Sequence, residues 1–305
     1  MAADHFKVSI IIPVLNAAPY LPELFPALQS QNPFSSSEII LVDSNSTDNT
    51  REVCRNVKNV KIIPIDDFSH GRARNLGAAQ ARGDIVVFLS QDALPENQFW
   101  LKNLLAPFKD KTVAASYSRQ IPRPDAIFTE RFFLAYRFPE KPVIRRKNPG
   151  NEPASLESVF FSNVSSAIRR SILLQYPFDE KLIMSEDQQF SRDVLNAGYA
   201  VAYAPDSVVI HSHNYSLKAA FKRYFDSVYS LTTIFPSHGI GTSTSMGANY
   251  LRKEILFVLR NYPWKIPYYL CYNFAKITAT ILAHFVPYLP KFLLRRLSQH
   301  SYHWN

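Results

Sequence analysis

Several short segments carry side chains capable of chemistry. Met184-Ser-Glu-Asp-Gln-Gln-Phe190 sets two carboxylates, Glu186 and Asp187, side by side. At a helix start such a pair can simply complement the helix dipole. It can also supply a general base, because each charge raises its neighbour's pKa, and a base near neutrality can take the proton from an attacking hydroxyl. Val208-Val-Ile-His-Ser-His-Asn-Tyr215 offers His211 and His213 directly after an apolar run. One of them can ligate a metal, and a structural role is the equal alternative. Phe88-Leu-Ser-Gln-Asp-Ala93 ends another apolar run in Ser90, Gln91 and Asp92. An aspartate there suits Mg2+ or Mn2+, hard cations that take oxygen ligands and bridge diphosphates. A lone strand-end aspartate is more often structural; several strand ends bearing such groups together favour the cation.

Two further segments suit a nucleotide. Phe68-Ser-His-Gly-Arg-Ala-Arg-Asn-Leu-Gly77 places a histidine and two arginines, Arg74 among them, at a helix start. Helix N-termini favour anions and Arg pairs bidentately with phosphate oxygens, so a diphosphate is the natural ligand. Taken alone, the segment is more simply a surface turn. Ile12-Pro-Val-Leu-Asn16 and Val42-Asp-Ser-Asn-Ser-Thr-Asp-Asn49 follow apolar runs as well. A carboxylate at Asp43 can accept the imide N–H of a thymine or uracil, with nearby backbone amides meeting its carbonyls. Ser46 or Asp48 reads as a cap of the next helix.

The elements that must position these groups are legible. Residues 8–12, 38–42, 60–65 and 84–89 are short, β-branched and apolar, as central strands buried on both faces are. Helix-compatible stretches, 20–30, 47–56 and 72–81, lie between them. This alternation predicts a parallel α/β sheet, whose ligands bind at the carboxyl ends of the strands. The strand-end segments 13–16, 43–48 and 90–95 therefore matter most, with Pro13, Leu15, Asn16, Ser44 and Ser46 among them. Residues 118–160, rich in Pro and Arg, read as a long excursion from the sheet forming an acceptor loop. A helix over 186–198 stops at Gly198. Residues 199–210 read as short strand pieces around Pro205-Asp206. The apolar stretch 277–290 is too short to span a bilayer and reads as an interfacial or a buried helix.

Composition adds a polarity along the chain. Residues 214–305 hold eleven Lys and Arg against two Asp and Glu, so the whole net charge of +9 belongs to this helical, aromatic tail. Basic charge interleaved with aromatics suits an anionic lipid surface. A solvated basic face is the plainer alternative, and nucleic acid is disfavoured because no nucleic-acid motif accompanies the charge. The two cysteines, Cys54 and Cys271, match no zinc or redox spacing. With no secretory signal evident at the start, a reduced cytosolic setting is expected. The expected organisation is a catalytic domain over 1–215, with a nucleotide half to about 117 and an acceptor half from 118, then a helical region over 216–305.

In this order the segments resemble the GT-A fold of glycosyltransferase family 2, a Rossmann-like, mostly parallel sheet with flanking helices. Pro13, Asn16 and Val42-Asp-Ser-x-Ser46 resemble its nucleotide half, Gly83-Asp84 with Phe88-Leu-Ser-Gln-Asp92 its Asp-x-Asp region, and Glu186-Asp187 its base motif. Phe68-x-His-Gly-x-x-Arg-Asn-x-Gly77 and Leu89-Ser-Gln-Asp-Ala-x-Pro95 narrow the likeness to bacterial dTDP-rhamnose-dependent rhamnosyltransferases. So do Arg119-Gln-Ile-Pro122, Phe161-Ser-Asn163, His211-Ser-His-Asn-Tyr-Ser216, Phe221-Lys-Arg-Tyr-Phe-Asp226 and the ending Leu297-Ser-x-His300 to Trp304.

The resemblance implies an inverting transfer of L-rhamnose from dTDP-β-L-rhamnose to a polyprenyl-diphosphate-linked glycan, assisted by Mg2+ or Mn2+. Asp43 would read the thymine, Arg74 contact the diphosphate, and Asp92 hold the metal. Asp187 would be the base with Glu186 supporting it. His211, or else His213, would complete the metal or diphosphate shell. Ser90 replaces the first Asp of Asp-x-Asp, which removes one charge near the metal but leaves a hydroxyl for a sugar. The resemblance places the protein in bacterial cytoplasm, peripheral at the inner face of the plasma membrane. A homo-oligomer is a second reading of the aromatic tail. The competing functions are the same fold with UDP-GlcNAc or UDP-glucose as donor, and a catalytically silent sugar-nucleotide or lipid-glycan binding subunit.

Overall fold

The computed structural model describes residues 7–31, 37–55, 57–147, 154–156, 158–236 and 240–304, with side chains of the last segment described from 247 onward. The chain divides into two compact units. The first comprises Met1–Arg123, Phe138–Lys181 and Glu186–His211; the second comprises Pro124–Arg137, Leu182–Ser185 and Ser212–Asn305. The strands are β1 Val8–Val14, β2 Ser37–Asp43, β3 Val60–Pro64, β4 Ile85–Leu89, β5 Leu94–Pro95, β6 Val113–Ile121, β7 Val143–Arg145, β8 Ser165–Arg169 and β9 Ala200–Ile210. The helices are α1 Leu21–Gln29, α2 Thr50–Cys54, α3 His70–Gln80, α4 Trp100–Leu105, α5 Phe128–Arg137 and α6 Arg170–Gln175. They continue as α7 Glu186–Asn196, α8 Leu217–Ile234, α9 Ile240–Asn261, α10 Ile266–Ala283 and α11 Lys291–Leu297.

The first unit is built on one nine-stranded sheet in the order β3-β2-β1-β4-β8-β6-β9-β5, with β7 paired to β9. β1 to β4 pair in parallel, as their unbroken apolar runs predict. β8 is antiparallel to both β4 and β6, and β6 and β9 are parallel to each other. The carboxyl ends of β1, β2, β4, β6 and β9 therefore share one edge. The amino end of β8 joins them, because Ser165 lies opposite Leu89.

Local chemistry fixes the connections. Ser69 caps α3, its hydroxyl accepting from the Arg72 N–H at 3.1 Å. Gly77 lets α3 lie directly on β1: a Cβ there would collide with Ile11 Cγ2 and come 3.3 Å from Val42 Cγ2. α7 ends as expected, with Gly198 at φ 91° and its N–H bonded to the Leu195 carbonyl at 3.0 Å.

Three expectations need correction. The helix expected over 47–56 is confined to Thr50–Cys54: Asn49 is its N-cap, and Asp48 before it turns the chain, its Oδ1 accepting from the Thr50 N–H at 3.0 Å. Residues 118–160 are not one excursion. Arg119 and Gln120 lie within β6, 128–137 is helical and 143–145 is a strand. Pro122 and Pro124 end the strand rather than forbid it, and the aromatic residues Phe128 and Phe132 give α5 a buried face. Of residues 199–210, Ala200–Ile210 form one strand, in which Pro205-Asp206-Ser207 makes a bulge between Ala204 and Val208. Positions 56, 148–153 and 157, which these expectations also touched, lie outside the described residues.

The second unit is helical. Phe132 of α5 packs on Tyr250 and Phe257 of α9, which is why 124–137 belongs here. Asp226 of α8 fastens the end of the chain, accepting from the N–H groups of Gln299 at 2.9 Å and His300 at 3.1 Å. α10 buries the polar Asn273 and Lys276 and exposes Leu270, Phe274, Ile277 and Ile281. The Lys276 ammonium lies 3.7 Å from Glu254 and 4.9, 5.1 and 5.6 Å from the rings of Tyr224, Tyr250 and Tyr272. Part of the stretch 277–290 thus continues a helix with one buried and one exposed face. Among the described residues, no helix is long and apolar enough to cross a membrane.

Because Gly77 sets the distance between α3 and β1, Gly77→Ala should cost about 1–3 kcal/mol through overpacking. Urea unfolding measures this, and an unchanged midpoint would contradict the packing described.

Candidate active site

The carboxyl edge of the sheet gathers most of the residues singled out in the sequence. Pro13 lies in β1 opposite Val42. Gln91 grips the Leu15 backbone twice, its Oε1 accepting from the Leu15 N–H at 2.8 Å and its Nε2 donating to the Leu15 carbonyl at 3.1 Å. The ends of β1 and β4 are thereby tied. Asn16 turns the chain at φ 52°, a conformation asparagine tolerates. Its N–H donates to Ser46 Oγ at 2.9 Å, and its Oδ1 accepts from the Thr47 N–H at 2.9 Å. The Ser44 N–H donates to the Val14 carbonyl at 2.9 Å. The loops after β1 and β2 are thus laced into one rigid rim.

Asp43 lies beneath that rim, with its side chain fully buried. Its Oδ1 accepts from the Ser46 N–H at 2.9 Å and its Oδ2 from Arg51 Nε at 2.7 Å. Burial alone would raise its pKa; the Ser46 and Arg51 bonds outweigh burial and hold it below the usual aspartate value. Asp43 shapes the loop from below.

The carboxylate pair sits at the start of α7. Glu186 is buried and pairs with Arg74 at 3.2 Å. Arg74, read from sequence as a surface arginine or a diphosphate contact, is itself buried, and its Nε has no hydrogen-bond partner among the described residues. Burial opposes ionisation of Glu186, but Arg74 and then His70 overcome it and lower its pKa. Asp187 is pushed the other way, up to about 7, by desolvation first and by the adjacent Glu186 charge second. The Asn163 N–H donates to Asp187 Oδ2 at 3.2 Å and its Nδ2 to Glu186 Oε1 at 3.3 Å. The next residue, Val164, accepts the Ser90 N–H at 2.9 Å. One short segment before β8 therefore ties the turn after β4 to the base candidates.

That turn carries Asp92, whose Oδ1 is 3.6 Å from His211 Nε2. Arg123 donates to the Asp92 backbone carbonyl. The His211 N–H bonds to the Ile121 carbonyl at 2.9 Å, continuing the pairing of β6 with β9. His213 falls in the second unit, where its N–H donates to the half-buried Glu130 carboxylate at 3.4 Å and its ring lies 5.1 Å from that of Tyr215. A carboxylate oxygen and an imidazole nitrogen this close make a donor set that fits a divalent cation. Three participants carried no role from sequence: Asn163, Gln120 and Arg123. The first two stand in Phe161-Ser-Asn163 and Arg119-Gln-Ile-Pro122, motifs visible as likeness alone.

Residues 9–176 match the family model described as glycosyl transferase family 2. The O-antigen chain rhamnosyltransferase RfbN of Salmonella typhimurium is 34% identical, over 98% of this chain and 96% of that protein. The O-antigen chain rhamnosyltransferase WbaN of Salmonella anatum is 34% identical, over 97% of this chain and 95% of its own. Among solved structures, a mannosyltransferase from Pyrobaculum calidifontis in complex with GDP-Man and Mn2+ superposes with a TM-score of 0.59. At 19% identity, covering 98% of this chain and 86% of that one, the likeness is one of fold, and the fold is GT-A.

The raised pKa of Asp187 has a consequence for stability. Below about pH 4 a folded and an unfolded Asp187 both hold the proton. Above that the unfolded chain releases it first, so native stability falls as pH rises toward 7. Asp187→Asn should therefore melt higher than the parent at pH 8, on the order of 2–4 °C, with the gap closing near pH 4. Parallel melting curves at both pH values would show that the site carries no such cost.

Proposed function

The chain belongs to glycosyl transferase family 2, and on that footing we propose that it transfers L-rhamnose from dTDP-β-L-rhamnose to a polyprenyl-diphosphate-linked glycan, with inversion. That it is a glycosyltransferase follows from the family. The observation that carries the mechanism is the divided carboxylate pair, with Glu186 held ionised by Arg74 and Asp187 pushed up to about 7. Asp187 takes the proton of the acceptor hydroxyl as its oxygen bonds to the anomeric carbon. The bond from that carbon to the dTDP oxygen breaks, and its electron pair leaves with the diphosphate. A single displacement inverts the centre, so a β-L donor gives an α-L-rhamnoside.

Glu186 stays charged and keeps Asp187 basic, while Asn163 orients both carboxylates. The unpartnered Nε–H of Arg74 suits a diphosphate oxygen, since a buried donor left unpaired costs about 1–3 kcal/mol. Asp92 and His211 would hold Mg2+ or Mn2+. When bound, the cation neutralises charge on the departing diphosphate. Ser90 offers a hydroxyl to the sugar. Pro13, Leu15, Asn16, Ser44 and Ser46 form the rim for ribose and thymine, with Gln91 and Asp43 bracing it.

The acceptor's lipid explains the second unit. Leu270, Phe274, Ile277 and Ile281 expose one apolar stripe on α10, and α11 adds exposed Lys291, Arg295 and Arg296. Apolar side chains beside cations suit the anionic inner face of a bacterial plasma membrane. This is the reading favoured over a second copy of the chain, which has no need of the cations.

Four measurements test these statements. Asp187→Asn should lose about 10²–10⁴-fold in turnover while binding dTDP as the parent does; parental turnover would remove the base. Because the base must be unprotonated, kcat/KM should rise about tenfold per pH unit below 7 and level off above it. Nucleotide release assayed with dTDP-rhamnose, UDP-GlcNAc and UDP-glucose decides the donor, and nucleotide binding without release would mark a silent subunit. Phe274→Glu with Ile277→Glu should abolish pelleting with anionic vesicles; retained pelleting, or dimer loss instead, would overturn the membrane assignment.

A further inference from the structure

We infer that Gln120 is a positioning residue that sets the tautomer of His211, so that Nε2 is the nitrogen presented toward Asp92. The inference rests on the reading of Asp92 and His211 as a cation pair. Gln120 is buried in β6, opposite Val209 of β9. That register brings the carboxamide against the imidazole, and Gln120 Oε1 lies 3.0 Å from His211 Nδ1. The Gln120 Nε2 group donates to Ser162 Oγ at 3.0 Å. With its N–H directed to Ser162, the amide faces the ring with an oxygen. An oxygen acceptor requires a proton on Nδ1, and a neutral imidazole protonated there has its lone pair on Nε2.

Nε2 is 3.6 Å from Asp92 Oδ1, longer than a hydrogen bond. Two ligands about 2.1 Å from one cation can span roughly 3–4 Å, so the separation suits shared coordination. Without the Gln120 oxygen, His211 could place its proton on Nε2, where it would block a metal. Ser162 also immediately precedes Asn163, which holds both Glu186 and Asp187. The same segment therefore braces the base and, through Gln120, the histidine. This gives Gln120, in the Arg119-Gln-Ile-Pro122 motif, a role that neither its type nor its position in the sequence supplied.

The test uses the full chain, free of cation, with ¹⁵N-labelled histidine. In the parent, His211 should show the Nδ1–H tautomer. Gln120→Met should shift it toward Nε2–H and weaken Mn2+ binding, read by electron paramagnetic resonance, about 10–100-fold. Gln120→Glu keeps an acceptor oxygen and should retain both the tautomer and the affinity within a few-fold. An Nε2–H tautomer in the parent, or an unchanged tautomer in Gln120→Met, overturns the inference. If Gln120→Met does not fold, the parent spectrum and Gln120→Glu still decide it. His211→Ala separates the two readings: unaltered Mn2+ affinity there defeats the cation pair while leaving the tautomer assignment standing.

Discussion

The buried pair between Arg74 and Glu186 is the interaction on which the rest of the site depends. Two charges withdrawn from water are tolerable only while they face each other, and removing one partner of such a pair commonly costs about 3–5 kcal/mol. The pair also divides the labour of two adjacent carboxylates. Glu186 keeps its charge because a guanidinium answers it, and that charge bears on the neighbouring Asp187 more strongly than Arg74 does. Desolvation first, and that charge second, bring a carboxylate that would titrate near 4 to the pH at which a base is useful. In the proposed mechanism the arginine would serve the acid–base chemistry whether or not it also meets a phosphate.

The pair can exist only because of how the sheet is wound. Arg74 comes from α3, Glu186 from α7, and Asn163 from the approach to β8. The antiparallel insertion of β8 between β4 and β6 brings its amino end to the edge where the parallel strands finish. Strand-end loops supply the rim for a nucleotide, and the start of β8 supplies the struts behind it. The Gln91 side chain between the ends of β1 and β4, and the Val164 carbonyl against the Ser90 N–H, are ties that keep these loops in place. Such ties hold a site in geometry before any ligand arrives, which is what transition-state stabilisation requires.

The second unit solves a different problem. α10 turns the usual helix inside out, burying Lys276 and Asn273 and showing Phe274 and Ile277 to the outside. The buried ammonium is compensated by Glu254 and three tyrosine rings, so the polar side can face inward. The apolar side is then left exposed, as the proposed lipid contact would require. A hydropathy count over 277–290 cannot separate this arrangement from a core helix, because both contain the same residues.

The sequence by itself determined the parallel half of the sheet, since four apolar β-branched runs separated by helix-forming stretches have few other ways to bury themselves. It also marked Asp43, Asp92, Glu186, Asp187 and His211, because polar groups at the ends of buried runs stand out locally. Tertiary structure alone decided what those groups do. That Asp43 is satisfied from beneath, that Arg74 answers Glu186, and that Gln120 reaches His211 depend on partners 8, 112 and 91 positions away. β6 was hidden because its Pro- and Arg-bearing end resembles a loop until β8 and β9 flank it. A side chain's type is written in the chain, but its charge state and its partner are set by neighbours that only folding supplies.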